Sequence, residues 1–167
     1  MLSKGLTKDV NICSAVGFPT GFSSTRIKVL EAEELLVKSV KEINVVMNIQ
    51  AFKSNRYDDV LEDLIAVVDV AKRYGSIAKI IIESPLSTYE EKAKAVKLVV
   101  KSGAHYVKTS TSIFSKTDFN DIHSLVKLTR GRIKVKAAGG FQTCHRGSHG
   151  NNDGRGKSRH FNSFPNI

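Results

Sequence analysis

The sequence predicts an α/β fold of successive βα units with parallel strands. Three observations carry this. Short apolar runs alternate with longer amphipathic ones through most of the chain. The longer runs repeat at helical spacing and the shorter ones are of strand length. Each helix must carry the chain back across the sheet, which makes consecutive strands parallel.

The elements follow in order. Val10 to Val16 (VNICSAV) reads as the first strand and ends in the turn cluster Gly17-Phe18-Pro19-Thr20-Gly21. A helix is expected from Thr25 to Lys41, then a strand from Ile43 to Ile49 (INVVMNI). Asp58 to Tyr74 reads as a helix, because Val60, Leu61, Leu64, Val68 and Ala71 fall on one face, and Gly75 closes it. Ala78 to Glu83 (AKIIIE) is the third strand. Ser87 and Glu90 have capping-box spacing, and the helix they open carries Tyr89, Ala93, Val96 and Val100 on one stripe before Gly103. Tyr106 to Thr111 is the fourth strand, Asp118 to Arg130 a helix, and Ile133 to Ala138 the fifth strand, ending at Gly139-Gly140. The pattern fits either a doubly wound open sheet or a (β/α)8 barrel. No GxGxxG or GxxxxGK[ST] run follows a strand, which counts against the nucleotide-binding open sheets.

Composition narrows the class. At 167 residues and 41% apolar, the chain can bury a real core. No stretch approaches the ~18 to 20 apolar residues of a membrane helix, and the N-terminus lacks a signal-peptide core. Cys13 and Cys144 form no metal or redox motif, so a cytoplasmic protein is the simplest reading. The formal charge of +10 is spread through helix-like segments and reads as solvated lysine faces, not as a nucleic-acid surface.

Interior parallel strands should be mostly apolar, yet three of these break the rule at one parity. Asn44 and Asn48 share a face opposite Ile43, Val45 and Met47. Tyr106 and Lys108 oppose Val107, and Lys134 and Lys136 oppose Ile133, Val135 and Ala137. The apolar parity suits packing on helices, so the polar parity would face a barrel interior or its mouth. Burying a lysine costs several kcal/mol unless it is paired or neutralised. Two lysines in one cavity depress each other's pKa, and a neutral amine is what attack on a carbonyl requires. The pattern therefore fits a Schiff-base lysine beside a second amine. Two strand-end lysines reaching solvent fit it equally well. Gly139-Gly140 after a late strand adds a weak signal for phosphate at backbone amides.

Several segments together resemble deoxyribose-phosphate aldolase. They are Gly17 to Gly21, Glu42 to Ile49, Lys79 to Glu83, Gly103 to Thr111 (GAHYVKTST) and Val135 to Thr143 (VKAAGGFQT). The similarity runs in order from about residue 8 to 143. It implies reversible cleavage of 2-deoxyribose 5-phosphate to glyceraldehyde 3-phosphate and acetaldehyde, without metal or cofactor. By the same resemblance Lys108 is the Schiff-base lysine, and Lys136 tunes its pKa and assists proton transfer. Thr111, Gly139 and Gly140 would line the substrate or phosphate site. The implied partner is a small phosphosugar, with a homo-oligomer left open and neither nucleic acid nor membrane expected.

Three departures stand out. Asn44 occupies the position of the family's proton-relay aspartate. Ser112 and Gln142 replace a usual glycine and arginine. The expected strands correspond to the third to seventh of a barrel, so residues 1–143 read as a partial barrel domain of about five βα units. Typical barrels need ~250 residues, with a floor near 200. Residues 144–167 read as an irregular or disordered tail, rich in Gly, Ser and Asn and poor in aliphatic residues. Cys144, His145, His149 and His160 fit no zinc module, and a frameshift would account for the break. The alternatives are a catalytically impaired remnant or pseudo-enzyme of the same family, another Schiff-base aldolase, and a basic binding module that uses the tail. An amide at position 44 cannot exchange a proton near neutral pH or balance the charge of Lys136. Restoring the acid by Asn44→Asp in an otherwise complete chain is expected to raise turnover with the phosphosugar, and an unchanged rate would clear Asn44 as the cause of low activity.

Overall fold

The computed structural model describes residues 11–114 and 116–139. Five parallel strands, β1 (Cys13–Val16), β2 (Glu42–Val46), β3 (Ile77–Ile81), β4 (Tyr106–Lys108) and β5 (Lys134–Lys136), form one sheet in the order β1-β2-β3-β4-β5. The helices are α1 (Thr25–Val37), α2 (Ile49–Lys53), α3 (Tyr57–Arg73), α4 (Tyr89–Lys101) and α5 (Phe119–Thr129). Strand order decides between the two architectures left open by the pattern. A doubly wound sheet reverses direction at a switch point, which puts helices on both faces. Here the order never reverses. With right-handed crossovers every helix then lies on the same side. Accordingly α1 packs on α3, α3 on α4 and α4 on α5 in one layer. This is the wall of a (β/α) barrel; among the described residues it is an open arc of five strands.

The core fills the space between sheet and helices. Val16, Ile43, Val45, Ala78, Ile80, Val107 and Val135 meet Leu64, Val67, Val68, Ala71, Val96, Val99 and Leu125 there. The apolar stripe expected on α3 is buried, with Leu61 only partly so. Residues of the other strand parity stay outside this cluster, including the buried Val46 and Ile81.

Several boundaries differ from expectation. The first helix ends at Val37, not Lys41, and Ser39 turns the chain at φ +67° toward β2. Ile49 leaves the second strand to begin α2, because the Asn48 side chain accepts from the Ala51 amide and caps that helix. The capping box of α4 is Thr88–Glu91, one residue later than Ser87–Glu90. A single 3-10 turn over Ser84–Leu86 occupies the Ser87 amide, which donates to the Ser84 carbonyl. The buried face of α4 is Ala95, Val96, Leu98 and Val99, and Tyr89 is exposed. Strands four and five stop at Lys108 and Lys136, short of Thr111 and Ala138.

Two features tie the layers together. The turn after β1 lies against the end of β2 so closely that a Cβ on Gly21 would come within 2.2 Å of the Met47 carbonyl oxygen. Beneath it, Lys28 of α1 is fully buried, donating to Asp63 Oδ2 of α3 at 2.7 Å and to the Val46 carbonyl at 3.1 Å. Replacing one partner of such a pair strands a buried charge, whereas replacing both with apolar groups can be nearly neutral. Asp63→Ala should therefore lower the urea-unfolding free energy by about 3–5 kcal/mol, and Lys28→Met with Asp63→Leu should recover most of it. Equal losses in the single and double variants would show that the pair contributes only packing. In the loop after β4, Ser112 adopts φ +74°, a conformation glycine reaches without a Cβ penalty. Ser112→Gly is expected to raise the unfolding midpoint by an amount equivalent to about 0.5–1 kcal/mol, and a lower midpoint would refute strain at this residue.

Candidate active site

With all helices on one side, the other sheet face carries the polar parity. Lys108 ends β4 and Lys136 ends β5, and the two are direct register partners. Adjacent strands lie about 4.8 Å apart, so the two side chains rise from neighbouring points of one surface. Both are half-buried. The Lys108 amine is held below the ordinary lysine value of 10.5, first by burial and then by the charge of Lys136; Lys79 adds to this, while Cys13 and Glu83 oppose it. Lys136 is lowered by burial, then by the charge of Lys79; Cys13 and Glu42 act in the opposite sense. A deprotonated amine at either position is therefore easier to reach than on a surface lysine.

Asn44 lies on the same face of β2, but its register partner is Lys79. Its Nδ2 donates to Cys13 Sγ at 3.0 Å, and its buried Oδ1 has no hydrogen-bond partner among the described residues. An aspartate there would present a second carboxylate to the lysines; the amide presents none.

The strand ends are fixed by a hydroxyl and carboxylate network. Glu83 follows β3 in a left-handed conformation, fully buried. It accepts from Ser110 Oγ at 3.0 Å and from the Thr111 amide at 2.5 Å. That bond draws Thr111 out of the strand ladder. Thr109 Oγ1 donates to the Ala138 carbonyl at 2.7 Å and accepts from the Ala138 amide at 2.9 Å. Thr117 Oγ1 donates to the same carbonyl at 2.6 Å. These bonds clamp the end of β5 against that of β4, beside the two lysines. Gly139 sits here at φ +96°, and a Cβ on it would meet Ser112 Oγ, Thr117 Oγ1 and Ser110 Cβ at 3.1 to 3.4 Å. Thr111 and Gly139 thus share one rim with Lys108 and Lys136. Gly140, Gln142 and the tail, with Cys144, His145, His149 and His160, lie outside the described residues.

An apolar cleft of 150 Å³ opens among the loops that follow the strands, lined by Thr20, Phe22, Ile49, Leu86 and Phe114. No titratable side chain lines it. Among the described residues no cluster of His, Cys, Asp or Glu could hold a metal ion, and no helix is long and apolar enough to cross a membrane.

Sequence reasoning missed Lys79, Glu42, Cys13 and Glu83. The signal for Lys79 was present: in AKIIIE it is a charge inside the strand, flanked by Ala78 and Ile80, which belong to the core face. For Cys13 and Glu83 the sequence held no comparable sign, since their relevance comes from neighbours on other strands.

No family model matches the sequence. Curated relatives do. The deoxyribose-phosphate aldolase of Aquifex aeolicus is 36% identical over 142 residues, covering 84% of this chain and 64% of the relative. That of Staphylococcus epidermidis (strain ATCC 12228 / FDA PCI 1200) is 41% identical over 135 residues, covering 80% and 60%. Among solved structures, one described as QR15, an aldolase, superposes with a TM-score of 0.79 at 36% identity, covering 84% of this chain and 63% of that one. The deoxyribose phosphate aldolase of Aeropyrum pernix, described as a unique tetramer, gives 0.75 at 31% identity, covering 80% and 56%. The strand order, the one-sided helix layer and these likenesses agree: the chain belongs to the deoxyribose-phosphate aldolase family, and spans 60 to 64% of the length of these curated relatives.

Proposed function

We propose that the chain carries the reacting groups of a deoxyribose-phosphate aldolase, with Lys108 as the amine that forms the Schiff base. The observation that carries this is the pairing of Lys108 and Lys136 on adjacent strands, with both amines held below the ordinary lysine range. In this reading neutral Lys108 Nζ adds to the C1 aldehyde of open-chain 2-deoxyribose 5-phosphate. Loss of water from the carbinolamine leaves an iminium, an electron sink conjugate to C2. A base takes the proton from the C3 hydroxyl, and its electrons form the C3 carbonyl. The C2–C3 bond breaks, its pair becoming the C1–C2 double bond of an enamine, and glyceraldehyde 3-phosphate departs. Protonation at C2 and hydrolysis of the iminium release acetaldehyde and restore the lysine.

Lys136, the register partner of Lys108, is suited to the proton steps, since burial and the charge of Lys79 make its neutral form easier to reach than on a surface lysine. Thr111 and the backbone about Gly139 are suited to the phosphate end, where small residues and hydroxyls line one rim. A cytoplasmic setting and a phosphosugar substrate follow from the same reading. Asn44 favours a slow member of the family, because no carboxylate stands opposite Lys79 to exchange protons with the lysines.

Borohydride trapping tests the reading. Reduction in the presence of 2-deoxyribose 5-phosphate should leave an adduct on the Lys108 peptide, and Lys108→Arg should abolish it. An adduct with little product release identifies an impaired member. A folded sample that gives no adduct at Lys108 sinks the proposal.

A further inference from the structure

The turn that leaves β3 contains a buried carboxylate that the reaction steps above do not use. Glu83 is fully buried and sits in the left-handed region, at φ +47° and ψ +55°. A side chain meets a steric penalty there that glycine avoids, and such a conformation persists only where its surroundings hold it. Here the surroundings are the end of β4 and the residues after it. The amide of Ile82, just before Glu83, donates to the Lys108 carbonyl at 3.1 Å. The amide of Ser84, just after it, donates to the Thr109 carbonyl at 2.8 Å. The Glu83 carboxylate accepts from Ser110 Oγ at 3.0 Å and from the Thr111 amide at 2.5 Å. A regular parallel ladder would carry the Ser84 bond on to the Ser110 carbonyl. The left-handed turn moves it back to Thr109, and the carboxylate takes over where the ladder stops.

We propose that Glu83 is a positioning residue for Lys108: its carboxylate and the two amides beside it grip residues 108–111 and hold the Lys108 amine on the strand face next to Lys136. The inference rests on reading Lys108 as the reacting amine. Successive side chains of a strand point to opposite faces, so a backbone rotation at the end of β4 turns Lys108 away from its partner. The β5 side of this segment is fixed separately, by the Thr109 amide on the Lys136 carbonyl at 3.1 Å and by the Thr109 hydroxyl on Ala138. Glu83 supplies the β3 side. A carboxylate suits the task because it offers an acceptor at each oxygen, one for the hydroxyl and one for the amide, and a charged acceptor makes the stronger bond. A purely electrostatic role has the opposite sign. The Glu83 charge favours the ammonium form of Lys108, as Cys13 does, while burial, Lys136 and Lys79 disfavour it. Losing that charge alone lowers the Lys108 titration further. Losing the grip frees the amine from its half-buried place and raises the titration toward 10.5.

Competitive acetylation of the intact 167-residue chain across pH, read by peptide mass spectrometry, separates the two roles. Glu83→Gly is the informative change, because glycine adopts the left-handed turn without strain and lacks the carboxylate. The Lys108 inflection should rise by about one pH unit. Glu83→Gln keeps an acceptor for the Thr111 amide and an N–H for the Ser110 hydroxyl, and should return the inflection to that of the unaltered chain or below it. If Glu83→Gly unfolds the protein, Ser110→Ala removes one bond, leaves the charge, and should move the inflection upward. An inflection that falls or stays in folded Glu83→Gly, or in Ser110→Ala where the former unfolds, overturns the proposal. Borohydride trapping adds a chemical readout. At saturating 2-deoxyribose 5-phosphate, Glu83→Gly should form the Lys108 adduct about 10- to 100-fold more slowly, and Glu83→Gln should recover most of that loss. Trapping by Glu83→Gly as fast as by the unaltered chain also overturns the proposal. No adduct in the unaltered chain counts against the proposed function, and the labelling profile then decides the positioning role by itself.

Discussion

Everything at the site depends on the helices lying on one side of a parallel sheet. Right-handed crossovers between strands that add in sequence order permit no other arrangement. One face of every strand is then sealed by α1, α3, α4 and α5, and the core residues Ile43, Ile80, Val107 and Val135 must be apolar. The other face is relieved of that demand. It can hold Glu42, Asn44, Lys79, Lys108 and Lys136 because, among the described residues, no helix packs against that face. A doubly wound sheet would cover both faces and make the same residues prohibitively costly.

The charges on that face are not independent. Glu42 is bound to the deepest of the lysines, Lys79, and Glu83 is the carboxylate that acts on Lys108. Burial lowers both Lys108 and Lys136, with the charge of Lys136 next at Lys108 and that of Lys79 next at Lys136. The arrangement is graded in depth. The sealed ammonium at Lys79 lies below and the half-exposed amines lie above, where a carbonyl compound can reach them. Rigidity at the rim follows from neutral groups. Thr109 and Thr117 both bind the Ala138 carbonyl, and Glu83 turns the chain at Thr111, so the strand ends are held without adding positive charge.

Much of this was legible in the residues. The period-two alternation in β2, β4 and β5 assigned each side chain to a face, and Ile43, Val45, Val107 and Val135 enter the helix-side core as that assignment requires. Lys108 and Lys136 could be singled out because each lies on the polar parity of its strand, and the family resemblance suggested their roles. Their pairing needed the register, which no single strand encodes. The parity rule, applied to three strands, was not carried to β3, where it marks Lys79. Local signals misled where a neighbouring turn competed for the same amide. Ser87 and Glu90 have capping-box spacing, but the 3-10 turn over Ser84–Leu86 takes the Ser87 N–H and shifts the cap to Thr88. The early ends of β4 and β5 arise similarly, from long-range bonds to Glu83 and Thr109 that sequence spacing does not reveal.

Asn44 shows how one atom changes the chemistry of such a face. Its Oδ1 is buried without a hydrogen-bond partner among the described residues, while Nδ2 is given to the weak acceptor Cys13 Sγ. A carboxylate in that place would face Lys79 across the register and compete with Glu42 for it. The lysines would then share a further negative charge, which favours the ammonium form. With the amide, the balance shifts toward free amines. In the aldolase cycle proposed above, that would favour nucleophilic attack by Lys108, which needs a lone pair, and disfavour steps that need an acid, such as protonating the enamine at C2. The substitution therefore affects the two halves of the cycle in opposite directions. The acid-dependent half is the one in which a slow step would be located.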